Sequence, residues 1–236
     1  LGVYYAVNYY GRLRAGEQQT AHLQIQLAQA NLRALKMQLH PHFLFNTLNS
    51  VAALVRKNEN KTAIRMLVQL SDFLRLALEN KGLHEIPVAQ EVEFVQKYLA
   101  IEKIRFQERL SVAVSVDEAA SGAFVPNMIL QPIVENAIHH GIGSNAKAGR
   151  IEITASTIDD RLQLSVRDNG AGMKQTVEPR PGRGVGLSNT RERLENLYDD
   201  DYSLTFSAVD SGGLDVVISI PFRSRPVIQN SDRGTA

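Results

Sequence analysis

The sequence predicts an α+β fold in two domains, a helical half followed by a half in which helices layer on a sheet. Three observations predict it. Apolar residues recur every three to four positions up to about residue 108 and at every second position in segments after it. The 236 residues allow one or two domains at roughly 100–200 residues each. An apolar fraction of 44% is that of an ordinary globular chain and excludes global disorder. The charges nearly cancel, 26 Lys+Arg against 25 Asp+Glu, and the cations are dispersed, so direct nucleic-acid binding is not expected. The absence of Cys excludes a disulfide scaffold, a thiol nucleophile and Cys-ligated metal. No apolar run reaches the roughly 18 residues of a membrane span.

The opening LGVYYAVNYY is apolar and Tyr-rich, and Gly11-Arg12-Leu13-Arg14 follows. Interfacial Tyr and cytoplasmic Arg read as the last turns of a transmembrane helix, against the plainer reading of an apolar N-terminus. From Gln18 to Leu39 no Gly or Pro interrupts, and Ile25, Ala28, Leu32, Leu35 and Leu39 form a heptad seam. That predicts a dimeric coiled coil, although a single amphipathic helix would look similar. Past Pro41 the helical spacing continues through Phe45, Leu48, Ala52 and Val55, then a polar turn spans 57–61. Residues 62–80 form a second amphipathic helix with Ile64, Leu67, Leu70, Phe73, Leu74 and Leu78 inward, stopped near Gly82. Two such hairpins would make a four-helix bundle in a dimer.

Pro87 opens a third helix running to about Glu108, with Val88, Val92, Val95 and Leu99 on one face. Five half-buried strands follow. They are carried by Leu110–Val116, Ile151–Ala155, Leu162–Val166, Tyr202–Phe206 and Leu214–Ile220, with turns at Asp159-Asp160 and Ser211-Gly212-Gly213. Helices are expected near 127–140 and 187–198, and a disordered tail after Phe222.

Three segments carry chemistry. Asp168 ends a strand and is followed by Gly170 and Gly172, so its carboxylate can accept from an exocyclic amine such as that of adenine. Gly182, Gly184 and Gly186 precede a helix near Leu187, where bare backbone N–H groups can approach phosphate. The cluster is neither a Walker A loop nor a Rossmann turn. Asn136, in the helical run PIVENAIHHG, offers an amide oxygen suited to Mg²⁺. His139 and His140 are adjacent, point different ways and make a poor shared metal site. His42, beside Pro41 in an apolar run, is a candidate nucleophile, since a neutral imidazole is competent at pH 7. His40 lies two residues away on another face, and spacing does not choose between them.

HPHFLFNTLNS, LQPIVENAIHHGI, DNGAGM and GRGVGLSNTRERL, in that order, resemble the LytS-type sensor histidine kinases from about Leu35 to Ile220. The resemblance implies that His42 is the phosphoacceptor, with Asn46 the motif Asn one turn later. It implies an ATP-binding α/β sandwich of the kind shared with Hsp90-like and MutL-like ATPases. There Asn136 would hold Mg²⁺, Asp168 would accept from adenine, and Gly170, Gly172, Gly184 and Gly186 would frame the ATP lid. His140 and Leu187 complete the implied ATP-binding set. The more common histidine kinases often carry an acidic residue directly after the phosphoacceptor; here Phe43 occupies that place, which leaves the proton acceptor unassigned, with Glu135 as the candidate. Pro132 stands where related ATPases carry a catalytic Glu.

The implied organisation is a transmembrane and juxtamembrane end at 1–15, a coiled coil and dimerisation/phosphoacceptor hairpin at 16–84, an ATP-binding catalytic domain at 85–222 and a tail at 223–236. The implied function is ATP-dependent autophosphorylation on His42 and transfer to an Asp of a response-regulator receiver domain, often one with a LytTR domain. The chain would be a homodimer, the cytoplasmic portion of a bacterial membrane protein anchored through an N-terminal sensor region. A non-catalytic ATP-binding dimeric scaffold, or an ATPase of the same nucleotide fold, is the alternative.

Overall fold

A computed structural model describes residues 41–79, 83–142, 148–170, 185–209 and 212–226. The expected membrane-proximal end, the coiled coil, His40, the lid with Gly172 and Gly184, and residues 227–236 lie outside these. The chain divides into two compact units, one ending at Asn58 and the other beginning at Glu59.

In the first unit, helix α1 (Pro41–Arg56) is followed two residues on by Asn58, whose φ of 60° is the left-handed conformation that Asn tolerates after a helix end. Phe43, Thr47 and Leu54 are its buried residues, while Phe45 (67% exposed), Leu48 and Val55 face outward. The stripe that carries the helical spacing is therefore left open in the single chain.

The second unit begins with helix α2 (Asn60–Glu79), which buries Ala63, Met66, Leu70, Phe73 and Ala77. Ile64, Leu67 and Leu78, expected inward, are exposed instead. The helix carries two apolar stripes, and the buried one is the stripe facing helix α3 (Val88–Phe106). Phe73 stacks on Phe94 at 4.8 Å between centroids and approaches Tyr98 at 6.3 Å. Helix α3 packs on α2 on one side and on the sheet strand β2 (Leu110–Val116) on another. That explains why Phe94, Tyr98 and Ile101 are buried beside the expected Val88, Val92, Val95 and Leu99.

Before α3, strand β1 (Glu85–Pro87) pairs antiparallel with β3 (Phe124–Pro126), which follows the single-turn α4 (Glu118–Ser121). This small sheet is too short to show a period and is not foreseen from sequence. Helix α5 (Gln131–Asn136) continues as a π-helical segment at Ala137–Ile142. The strands β4 (Gly149–Ile158) and β5 (Arg161–Asp168), helix α6 (Val185–Tyr198), and strands β6 (Ser203–Ala208) and β7 (Leu214–Pro221) complete the chain. The main sheet runs β2-β4-β5-β7-β6, with β2 and β4 parallel and the other neighbours antiparallel. Strict alternation buries Ile151, Ile153 and Ala155 on β4, Leu162, Leu164 and Val166 on β5, and Val216, Ile218 and Ile220 on β7. Asp159 and Asp160 both have positive φ, the two-residue turn whose twist suits a hairpin.

Arg223, expected in the tail, is fixed. Its carbonyl accepts from Phe124 N–H at 2.8 Å, and its guanidinium lies over the Tyr198 ring at 4.3 Å and beside buried Glu85 at 3.4 Å. Burial first, then the Glu85 carboxylate, raises the Tyr198 phenol above its ordinary value.

The Phe73 contact predicts a mutational cost. Phe73→Ala should lower the stability of the second unit by about 3–5 kcal/mol, read as a shift of the urea midpoint with unchanged slope.

Candidate functional site

The expected acceptor residue lies on α1. His42 is exposed, and Asn46 Nδ2 lies 3.2 Å from its Nδ1 and 3.3 Å from its Nε2. Asn46 reaches the ring because residues four apart share a helix face. Thr47 and Ser50 hydroxyls donate to the carbonyls of Phe43 and Asn46, each at 2.8 Å. They are thereby tied to their own helix. Phe43 is buried, so the position after His42 offers no carboxylate and faces away from the exposed imidazole.

The nucleotide side is assembled in the second unit. Helix α5 packs on α6, and its π-helical continuation packs on β4 and β5. Asp168, at the end of β5, is buried and accepts from Gly170 N–H at 2.8 Å through Oδ1. Asn169 clamps the neighbouring strand: its Oδ1 accepts from Arg150 N–H at 2.6 Å and its Nδ2 donates to the Ala148 carbonyl at 3.3 Å. Gly213, with φ of 102°, lies so close that a Cβ there would run into the Asp168 carbonyl. Bare backbone at Gly213 thus lets the β6–β7 connection press on the turn that presents Asp168.

Asn136 is half-buried at the end of α5, and Glu135 beside it accepts from Gln131 Nε2 at 2.8 Å. Helix α5 starts at Gln131, not near 127, because residues 127–130 form a turn with Met128 at φ 59°. Pro132 fits the first turn, where its absent N–H goes unmissed. Gly186 lies in the first turn of α6 and Leu187 is half-buried there, so of the expected lid glycines Gly170 and Gly186 are described. His139 is exposed on the π-helical segment, which also carries His140. Among the described residues no cluster of three or more His, Cys, Asp or Glu could hold a metal ion. A divalent cation at Asn136 would need phosphate oxygens to complete its shell, as Mg²⁺ commonly does.

Two buried carboxylates on α3 were not foreseen. Glu91 accepts from Met128 and Leu130 N–H at 2.8 Å each, yet burial pushes its carboxyl up to about 7. Glu102 pairs with Arg105 at 2.9 Å, leaves Oε2 without a hydrogen bond, and is pushed up to about 7 by burial and, further, by Glu135. Burial, then Glu102 and Glu135, also raises Tyr98 well above the ordinary phenol range. Glu91 had a sequence signal: it falls on the same helix face as Val88, Val92 and Val95.

One chain thus carries an exposed His–Asn pair on a helix and a separate unit whose sheet ends in a buried Asp. Residues 30–110 match the family model described as histidine kinase, and 126–224 match that of the histidine kinase-, DNA gyrase B- and HSP90-like ATPases. The chain is 35% identical over 204 residues to the sensor protein LytS of Enterococcus faecalis, covering 83% of this chain and 34% of that protein. It is 33% identical to the sensor histidine kinase YesM of Bacillus subtilis, covering 86% and 35%, and 36% identical to BtsS of Escherichia coli, covering 84% and 34%. A solved histidine kinase domain from Erythrobacter litoralis is similar over 80% of this chain and 92% of its own, at 17% identity and a TM-score of 0.47. The chain belongs to the LytS-type sensor histidine kinases. It spans about a third of the length of the relatives it matches.

Gly213→Ala should lower nucleotide affinity at least about tenfold in protein that remains folded, measured by titration calorimetry, because a left-handed alanine and the Asp168 backbone cannot both keep their places. The raised carboxyls give stability a pH dependence. Glu91 and Glu102 are raised from 4.5 to about 7, so between these values the folded chain holds more protons than the unfolded one. Their contribution is full below 4.5 and is lost as pH rises through 7. The melting temperature of Glu102→Gln, compared with wild type from pH 5 to 8, should show a flatter decline.

Proposed function

We propose that this chain is the catalytic portion of a sensor histidine kinase, which transfers the γ-phosphoryl of ATP to His42 and then passes it to an aspartate of a response-regulator receiver domain. The observation that carries this reading is the exposed imidazole of His42, held by Asn46, in the same chain as a sheet that ends in the buried Asp168.

In this reading Asp168 accepts from the adenine amine and excludes guanine, which presents a carbonyl there. Gly170 and Gly186, with Gly172 and Gly184, admit the phosphates close to backbone N–H groups, and Leu187 and His140 line the site. Asn136 would hold Mg²⁺, which when bound would supply charge neutralisation for the phosphates. With its amide turned, Asn46 presents Oδ1 to Nδ1–H and leaves the Nε2 lone pair for in-line attack. The N–P bond forms as the bond to the β-phosphate oxygen breaks, ADP leaves, and the imidazole proton passes to a base, for which Glu135 is the candidate.

The exposed apolar stripes support a homodimer. Phe45 and Leu48 on α1 and Ile64, Leu67 and Leu78 on α2 are 44–67% exposed in the single chain, and a second copy would bury them. The helical part would span 16–84 and the ATP-binding part 85–222. The partner regulator would include the LytTR type, and anchorage would come from a membrane sensor region N-terminal to this sequence. Among the described residues no helix is long and apolar enough to cross a membrane.

With γ-labelled ATP and Mg²⁺, wild type should acquire an acid-labile, base-stable label. His42→Gln should abolish it while keeping nucleotide affinity within about twofold, and Asp168→Ala should lose affinity about a hundredfold or more. Label that persists in His42→Gln overturns the acceptor, and phosphate release without labelled protein favours an ATPase.

A further inference from the structure

The turn 127–130 has a strained backbone gripped from two sides. Met128 has φ of 59°, which a Cβ-bearing residue adopts at a cost on the order of 1–3 kcal/mol and only where its surroundings fix it. Beneath it, the two carboxylate oxygens of Glu91 accept separately from Met128 and Leu130 N–H, each at 2.8 Å. From α6, Arg193 donates to the Asn127 carbonyl oxygen. Asn127 is tied further by its N–H to the His84 carbonyl at 3.0 Å and by its Nδ2 to the Leu83 carbonyl at 3.2 Å.

Glu91 is fully buried, and packing alone does not call for a carboxylate there. An apolar side chain would fill the same face of α3 but would leave two buried N–H groups unsatisfied. What the carboxylate fixes is the start of α5, since Gln131 follows Leu130 directly and Asn136 lies at the far end of that short helix. What Arg193 fixes is the same turn to α6, the helix that opens at the lid glycines.

We infer that Glu91 and Arg193 are positioning residues that lock the start of α5 to α6, so that the two helical walls of the nucleotide site hold one spacing. The inference rests on the nucleotide site proposed above. Arg193 is the charged group that faces Glu91, and the other groups facing it are the backbone N–H groups of Met128, Leu130 and Gln131. Glu91→Gln keeps one acceptor and turns an amide donor toward the second N–H, and Glu91→Asp is too short to reach both.

The test uses the whole chain with a fluorescent trinitrophenyl-ATP probe, on Glu91→Gln, Arg193→Met and the double variant. Circular dichroism first establishes that each is folded at the assay temperature, and Arg193→Met, on the half-buried face of α6, serves if Glu91→Gln does not fold. Each single variant should weaken nucleotide binding about tenfold, and the double variant should be no worse than the weaker single, because both act through one turn. In labelling, the KM for ATP should rise while the rate at saturating ATP is kept. Folded single variants that bind like wild type, or losses that add in the double variant, overturn the inference. A wild type that binds no nucleotide sinks the functional reading instead, and amide hydrogen exchange then decides the inference. Faster exchange spreading together through α5 and the start of α6 in Glu91→Gln supports it, and a change confined to 127–130 overturns it.

Discussion

The burial of α3 on nearly every side is the constraint on which the second unit depends. A helix at the surface needs one apolar stripe, whereas α3 must satisfy α2 through Phe94 and Tyr98 and the sheet through other faces. Such a helix has little room for polar groups, so those it retains are informative. Glu91 and Glu102 are held inside at the cost of displaced proton affinities. Only Glu91 has both oxygens satisfied by backbone donors. The contrast separates a carboxylate that shapes a turn from one that mainly loads the interior with an unmet oxygen.

The site inherits its geometry from contacts far apart in sequence. Asp168 is presented by a turn that Asn169 clasps to β4 and that the Gly213 backbone presses from the start of β7. The start of α5 is set by Glu91, thirty-seven to thirty-nine residues upstream of its partners. The surroundings of His42, the proposed acceptor, are built locally, by residues four apart on a single helix. This difference suits the two tasks, because a nucleotide pocket must be rigid in three dimensions whereas an acceptor needs an accessible, oriented ring.

That division also explains what the sequence makes legible. The strands are readable because Leu162, Leu164 and Val166 alternate without a break and Asp159-Asp160 supplies the turn. The identities of His42, Asn46, Asn136 and Asp168 as candidates are readable because their motifs are compact. The inward faces of α1 and α2 are not, since each helix carries two apolar stripes and periodicity is blind to which has a partner within the chain. The paired strands β1 and β3, three residues each, are too short to show a period. The late start of α5 and the role of Gly213 are set by groups distant in sequence, so no local window contains them.

The π-helical segment at Ala137–Ile142 has a consequence for length. A π turn amounts to one surplus residue accommodated inside a helix, and such bulges concentrate at functional sites. Removing a single residue from this stretch would let it relax into α register. Everything beyond would then rotate by about 100° and shift along the axis by about 1.5 Å. The stretch is therefore intolerant of deletion in a way its composition does not suggest: the composition would barely change, but the exposed His139 would face a new direction.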